Sequence, residues 1–342
     1  MLPPHESTEK SHAFGPTLRF GFILTRGYAL MSVAAAVEPL RAANHLAGRE
    51  LYKTRFFSGK DGFVASTAEG GFFCESLDAI GSDLDIVFVV AGGNPMAYEE
   101  PALTRGLRRL ASRGIRLGGI SGGAAVLARH GLMAGRRFTV HWQHIDALRS
   151  LSSDLLVERT LYVIDRDRYT CAGGVAALDM MHALIAQNHG AIFARSVSDW
   201  FIHTRVRTSS EPQQSSLAEQ FNVSHPALEA AIQMIMGHLA DPLTTKQLAL
   251  LSGVSKRQLQ RLFRENLGQP IMHFYRARRL EKADELLQQS TLPVIDIAIS
   301  TGFANVAHFT RCFAEQFHET PAKRRRILHS QRTLSATDGG EK

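Results

Sequence analysis

RLGGISGGAAVLARHG, residues 116–131, reads as a short apolar strand that turns sharply into a helix of small residues. Within it, Gly119-Ile120-Ser121-Gly122-Gly123 fits the G-x-S-x-G pattern of a nucleophile elbow, a turn at the carboxyl end of a parallel strand. The flanking sequence supports that setting. LRFGFILT (18–25) reads as a strand and ALMSVAAAVEPLRAANHL (29–46) as a helix, while YKTRFFSG (52–59) and LDIVFVVAGG (84–93) read as further strands. Strands alternating with helices imply a doubly wound, mostly parallel α/β sheet with helices on both faces, here expected over 17–205.

The chain has 342 residues, 44% hydrophobic and 21% charged, a composition that leaves room for two or three globular domains. Its most apolar run, 85–91, is far short of the roughly 20 residues that cross a bilayer, so no membrane partner is expected. The opening MLPPHESTEKSHAFGP lacks the apolar stretch of a secretory signal. Cys74, Cys171 and Cys312 lack metal-ligand spacing, so we expect a reduced, cytoplasmic, bacterial protein with no metal and no cofactor. Residues 1–16 and 330–342 read as disordered tails. The stretch 206–226, rich in Ser, Gln, Glu and Pro, reads as a linker.

The net charge is +7, and 227–329 holds fourteen Lys and Arg against nine Asp and Glu. A basic excess gathered in one segment suggests a polyanionic partner. That same segment repeats itself. LALLSGVSKRQLQRLF (248–263) matches IAISTGFANVAHFTRCF (297–313), with Gly253 aligned to Gly302, Leu259 to Phe309, Arg261 to Arg311 and Phe263 to Phe313. One extra residue enters the second turn.

Each copy reads as a short helix, a turn at glycine and a second helix opening at a polar cap, Ser255 or Asn305, over 244–265 and 293–317. The second helices would bury Leu259, Leu262 and Phe263, or Phe309, Cys312 and Phe313, freeing the opposite face for a major groove. The first face offers Ser255, Lys256, Arg257, Gln258, Gln260 and Arg261. The second offers Asn305, Ala307, His308 and Arg311. Arg reads guanine and Gln or Asn reads adenine through paired hydrogen bonds. FYRARRLEKADELLQQS (274–290) reads as a long helix fixing the separation of the two readers, which then address successive groove segments about 34 Å apart.

Residues 227–327 resemble the AraC/XylS DNA-binding domain. The likeness is carried by LGQPIMHFYRARRLEKADELL between the copies, IDIAISTGFANVAHFTRCFAEQF in the second and TPAKRRR at the end. It implies a sequence-specific transcription regulator, commonly an activator, with double-stranded promoter DNA and RNA polymerase as partners. Val306-Ala307 stand where many members carry polar residues, so the second copy is expected to read fewer bases.

A catalytic Ser121 would need a base, an orienting acid and an oxyanion hole. His141 can return to the same crevice, with His144, His130 and His182 as alternatives, but an α/β-hydrolase would place its acid and then its histidine far downstream. This half resembles the PfpI and class I glutamine amidotransferase-like superfamily, with a flavodoxin-like fold, and in particular the sensor domains of GlxA-like regulators. The anchors are FGFILTRGYALMSVAAAVEPLRAAN, VFVVAGGNP, GGISGGAAVLARHGLMAGRRFTVHW and YTCAGGVAALDMMHALI. In the enzymes of that superfamily the elbow residue is cysteine and an acidic residue in the first helix region assists it. Ser121 and Ser32 stand at those positions, which implies an inactive pocket reused for ligand sensing. The competing reading is an amidase or peptidase with Ser121 as nucleophile; a third is a DNA-binding protein whose α/β half only dimerises.

Strand ends nominate Gly27, Tyr28, Gly92, Gly93, Asn94, Ser121, Gly122, His141 and Trp142 as effector contacts, with 171–174 beside them. Successive amides at 92–94 and after Ser121 suit a carboxylate, and Tyr28 with Trp142 could face a cationic amine. SVAAAVEPLRAANHLAGRELY resembles a branch of these regulators that controls catabolism of amino acids and methylated amines, implying a betaine-, carnitine- or arginine-like effector. Paired half-sites would call for a homodimer. The segment HGAIFARSVSDWFIHTRVR, with Phe193, Val197, Trp200 and Phe201, reads as an amphipathic helix at that interface or against its own domain.

Overall fold

A computed structural model of the chain describes residues 14–98, 100–290 and 292–326. Its contacts separate into two units that divide at Gln213 and Gln214.

The first unit runs β1 (Leu18–Leu24), α1 (Leu30–Ala47), β2 (Tyr52–Ser58), β3 (Gly62–Ala65), β4 (Gly71–Ser76), β5 (Ile86–Ala91) and α2 (Pro101–Ser112). It continues with β6 (Arg116–Ser121), α3 (Gly123–Arg129), β7 (Arg137–Thr139), α4 (Ile145–Leu151), β8 (Leu156–Glu158), β9 (Tyr162–Asp165), β10 (Arg168–Cys171), α5 (Ala176–His189) and α6 (Ala191–Trp200). The eight-stranded sheet has the order β3-β4-β2-β1-β5-β6-β10-β9. Neighbours pair in parallel except at the two edges, where β3 and β9 run antiparallel. This is a flavodoxin-like, doubly wound sheet.

The continuous apolar run of β5 follows from burial on both faces. Ile86, Phe88 and Val90 enter the core under α1, α5 and α6; Val87, Val89 and Ala91 enter the core under α2, α3 and α4. Strand order reverses between β1 and β5, which is where open α/β sheets leave a crevice at their carboxyl ends. The elbow of β6 lies one strand further on.

The second unit is helical: α7 (Leu217–Gln220), α8 (Pro226–Gly237), α9 (Thr245–Leu251), α10 (Lys256–Leu267), α11 (Ile271–Gln289), α12 (Val294–Ser300) and α13 (Val306–Phe317). Two cores share α11. Phe274 and Tyr275 pack with α8, α9 and α10, while Leu280, Ala283 and Leu287 pack with α12 and α13. The six apolar positions expected to hold the two repeats together are all buried.

Two expected boundaries are corrected. Phe14, assigned to the first tail, packs edge-on against His189 and Phe193 at 5.4 and 5.2 Å; 1–13 and 327–342 lie outside the described residues. The stretch expected as a linker over 206–226 is ordered. Its first part bonds to the α/β unit through Arg207, Ser209 and Gln213. Its second part is α7, closed by a capping box between Ser216 and Glu219, and Val223 sits in the helical core. Polar composition resembles a linker wherever side chains are spent on backbone groups remote in sequence. The segment 191–201 packs on its own domain, with Ala194 and Val197 buried and Phe193 and Phe201 half-buried against the same core.

Candidate functional site

Ser121 ends β6 at φ 58°, the left-handed region that non-glycine residues seldom enter, and is 8% exposed. Three segments converge on it. Gly122 donates its N–H to Ala91 O at 2.9 Å, and its Cα faces Pro95 closely enough that a Cβ would lie 2.9 Å from that ring. His141 N–H reaches Ser121 O at 3.4 Å. From β10, Gly173 adopts φ +87°, where a Cβ would stand 2.5 Å from Ser121 Cβ and 2.9 Å from Ser32 Oγ. Ser32 Oγ in turn accepts the Gly174 N–H at 2.7 Å. Ser32 of α1 and Ser121 of β6 thus meet across one glycine. Cys171 is fully buried beside them, and burial pushes its thiol up to about 12 despite opposing contacts from the Gly173 and Ser121 amides.

The histidines do not build a relay. His141 Nδ1 accepts the Gln143 N–H at 3.4 Å, and burial holds this imidazole below its ordinary range. His144 falls to about 4 through burial and then the neighbouring His141, and its Nδ1 has no partner among the described residues. His130 shares a contact with the Thr104 hydroxyl at 3.3 Å and His182 one with Ser198 at 2.8 Å. Among the described residues no imidazole or carboxylate hydrogen-bonds the Ser121 hydroxyl. Without a base a serine hydroxyl is a weak nucleophile.

Two expectations for the crevice are overturned. The Gly122 amide, expected to hold a carboxylate, is spent on Ala91 O, because the elbow extends the β5–β6 pairing by one bond. Tyr28 and Trp142 do not form a shared aromatic cage. Tyr28 is fully buried with its ring 6.4 Å from that of Phe72 and its hydroxyl 3.5 Å from Val64 O, whereas Trp142 packs against the core on the opposite face of the sheet. Gly27 and Gly92 do come together: a Cβ at Gly92 would be 2.3 Å from Gly27 O. Gly93 is exposed, and Asn94 accepts the Met96 N–H at 3.0 Å while its Nδ2 is buried without a partner. Polar groups near the elbow thus include the Ser121 and Ser32 hydroxyls and the Asn94 side-chain amide.

In the helical unit, Lys256, Arg257, Gln258, Gln260 and Arg261 of α10 are all exposed. Leu259, Leu262 and Phe263 on the same helix are buried, so packing forces the polar residues outward. Ser255 caps α10 by accepting the Gln258 N–H at 3.2 Å. Among the described residues Arg261 is held only by a 3.8 Å approach to Glu265, both side chains being largely exposed. Arg264 lines the same groove as Arg257 and Arg261 and escaped the sequence reading, although its spacing of seven from Arg257 places it two turns along that face.

On α13, Ala307, His308 and Arg311 are exposed, and His308 Nε2 lies 3.3 Å from Cys312 Sγ. Asn305 accepts the N–H groups of Ala307 and His308 at 2.8 and 3.2 Å. That is the capping role read from the sequence, and it occupies the carbonyl oxygen that a paired contact to adenine would also need. Both turns pivot on left-handed glycines, Gly253 at φ +70° and Gly302 at φ +78°. The linking helix α11 fixes them to each other. Tyr275 donates its hydroxyl to His238 O at 2.6 Å and accepts the Leu243 N–H at 3.1 Å; Arg279 donates to Thr301 O at 2.6 Å and covers the Phe303 ring at 4.0 Å.

Comparison with known proteins matches residues 25–187 to the DJ-1/PfpI family and 248–327 to a helix-turn-helix domain. The chain is 46% identical to the HTH-type transcriptional regulator GlxA of Rhizobium meliloti, covering 90% of this chain and 95% of that protein. It is 39% identical to the HTH-type transcriptional regulator CdhR of Pseudomonas aeruginosa, over 90% and 92%. A crystal structure of an AraC family transcriptional regulator from Pseudomonas putida is 25% identical with a TM-score of 0.50, covering 54% of this chain and 99% of that one.

Proposed function

The chain belongs to the GlxA-like HTH-type transcriptional regulators, a DJ-1/PfpI domain joined to an AraC-type helix-turn-helix domain, and on that premise we propose that it is a metabolite-responsive activator of a catabolic operon. The α/β crevice binds the effector, an amino-acid-like or quaternary-amine compound of the betaine, carnitine or arginine type. The helical unit carries sequence recognition through α10 and, with fewer base contacts, α13. The protein acts as a cytoplasmic homodimer on promoter DNA and contacts RNA polymerase there. No described helix is long and apolar enough to cross a membrane.

The observation that carries the sensing role is the meeting of Ser121 and Ser32 across Gly173. The fold holds Ser121 in a strained left-handed elbow and uses Gly173, at a φ only glycine adopts freely, to let Ser121 and Ser32 approach, yet among the described residues no base or acid hydrogen-bonds the Ser121 hydroxyl. Strain kept without a catalytic relay fits a ligand contact better than an enzyme.

The test is a calorimetric scan of the full chain with betaine, carnitine, arginine and related amino acids. Binding stabilises the native α/β unit by about 2.7 kcal/mol at a hundredfold excess over the dissociation constant, which raises the midpoint of its transition. A saturable shift that Ser121→Trp abolishes supports the reading. No shift with any compound of the panel, in a folded protein, refutes this effector class. Hydrolysis of an amide substrate that Ser121→Ala removes would overturn the sensing role itself.

A further inference from the structure

Residues 203–213 cross the α/β unit as a strap and stop where the helical unit begins. His203 and Arg207 clasp Asp179 of α5: His203 Nε2 lies 2.9 Å from Oδ1, and Arg207 donates Nε and Nη2 to Oδ2 at 3.0 and 2.6 Å. Ser209 O accepts the Leu161 N–H at 3.0 Å, and Pro212 forms an antiparallel bridge with Thr160. Gln213 ends the strap with its Nε2 within 3.0 Å of Thr139 Oγ1, Val140 O and Thr160 O.

Both lines of contact run on to the elbow. Val140 precedes His141, whose N–H reaches Ser121 O. Leu161 O accepts the Ala172 N–H at 2.8 Å, and Ala172 precedes the Gly173 that separates Ser121 from Ser32. The anchor itself is half-satisfied: Gln213 Oε1 and Thr160 Oγ1 are buried with no partner among the described residues. An amide bonded on one side and orphaned on the other lies closer to its released state than a fully paired one.

We propose that this strap is the readout arm of the elbow, with Gln213 the positioning residue through which a change at Ser121 and Gly173 alters the chain entering the helical unit. The inference rests on the crevice being the sensing site, but its test needs no effector. Coupling is reciprocal, so a perturbation at either end must be felt at the other. Amide hydrogen exchange of the full chain is measured at single-residue resolution for wild type, Gln213→Ala, Gln213→Glu, Gly173→Ala and Ser121→Ala.

The two Gln213 variants should raise exchange at the Ala172 and Gly174 amides roughly fivefold or more. Gln213→Glu keeps the size but loses the donor, so it should behave as the alanine does. Gly173→Ala, or Ser121→Ala should the former not fold, should raise exchange at the Leu161 and Arg207 amides. The Leu18 amide, bonded to Leu51 O at 2.9 Å across the β1–β2 pair, should not change. Changes confined to the residues beside each substitution, or a silent Gln213→Glu, would overturn the proposal. A panel of compounds that fails to bind leaves this result standing and sinks only the sensing role.

Discussion

Arg207→Ala tests the clasp on which the strap depends. Asp179 is fully buried and receives Arg207 Nε, Arg207 Nη2, the Arg207 N–H and His203 Nε2, at 3.0, 2.6, 3.0 and 2.9 Å. Removing one partner of a buried pair costs about 3–5 kcal/mol, because the other charge stays out of water. Here the backbone N–H and His203 remain, and the Arg207 side chain is 30% exposed, so the cost falls to about 2–3 kcal/mol. For a unit of this size each kcal/mol moves the midpoint by about 2–4 °C, giving a loss of roughly 5–10 °C in the α/β transition. Scanning calorimetry of the full chain at neutral pH reads it directly. The double variant Asp179→Asn with Arg207→Ala removes the stranded charge and should recover at least half of the loss. An Arg207→Ala midpoint within about 1 °C of wild type, or a double variant no better than the single, would refute the argument that the buried charge sets the cost.

Arg261→Ala should weaken binding to a matched operator by about 1–3 kcal/mol and relax preference at one base, read by titration of operator variants at fixed salt. Asn305→Ala should lower the stability of the helical unit by about 0.5–2 kcal/mol through the lost cap, whereas Asn305→Ser should restore stability and leave base preference unchanged in a binding-site selection. His144 is pushed down to about 4 from 6.5 by burial, so the unfolded chain takes up a proton as pH falls through 6.5 while the folded chain does not until 4. Its contribution is therefore intact above about pH 7 and lost as pH falls from 6.5 towards 4, by about 3 kcal/mol at most. His144→Phe should flatten that part of the profile in urea unfolding at pH 7 and pH 4.5; a variant with the wild-type slope would assign the acid sensitivity elsewhere.

What was legible in the sequence is what local packing dictates. The β5 run shows both faces buried in its unbroken apolar string, and the two helix-turn-helix copies advertise themselves because one packing problem is solved twice with the same glycine and the same apolar positions. The elbow was legible for the same reason, since a tight strand-to-helix turn against Val89 O and Pro95 admits only small residues at Gly122 and Gly123. The strap was not. Gln213 reaches Thr139 over 74 residues of sequence and Arg207 reaches Asp179 over 28, and no periodicity records a polar side chain whose partner is a distant backbone or a buried carboxylate. Tyr28 failed differently: its position at the end of β1 placed it at the crevice, but the fold turns its ring inward against Phe72. Asn305 shows a third limit: its capping role was legible, but the sequence also placed it on the outer face, and geometry shows the same carbonyl oxygen engaged in the cap. These cases share one cause. Side chains that pack are specified by their neighbours along an element, whereas side chains that bond are specified by where other elements end. On the proposed sensing role, residues of the second kind would link the crevice to the chain beyond it, so the strap at 203–213 is where substitutions should separate ligand binding from its effect on DNA.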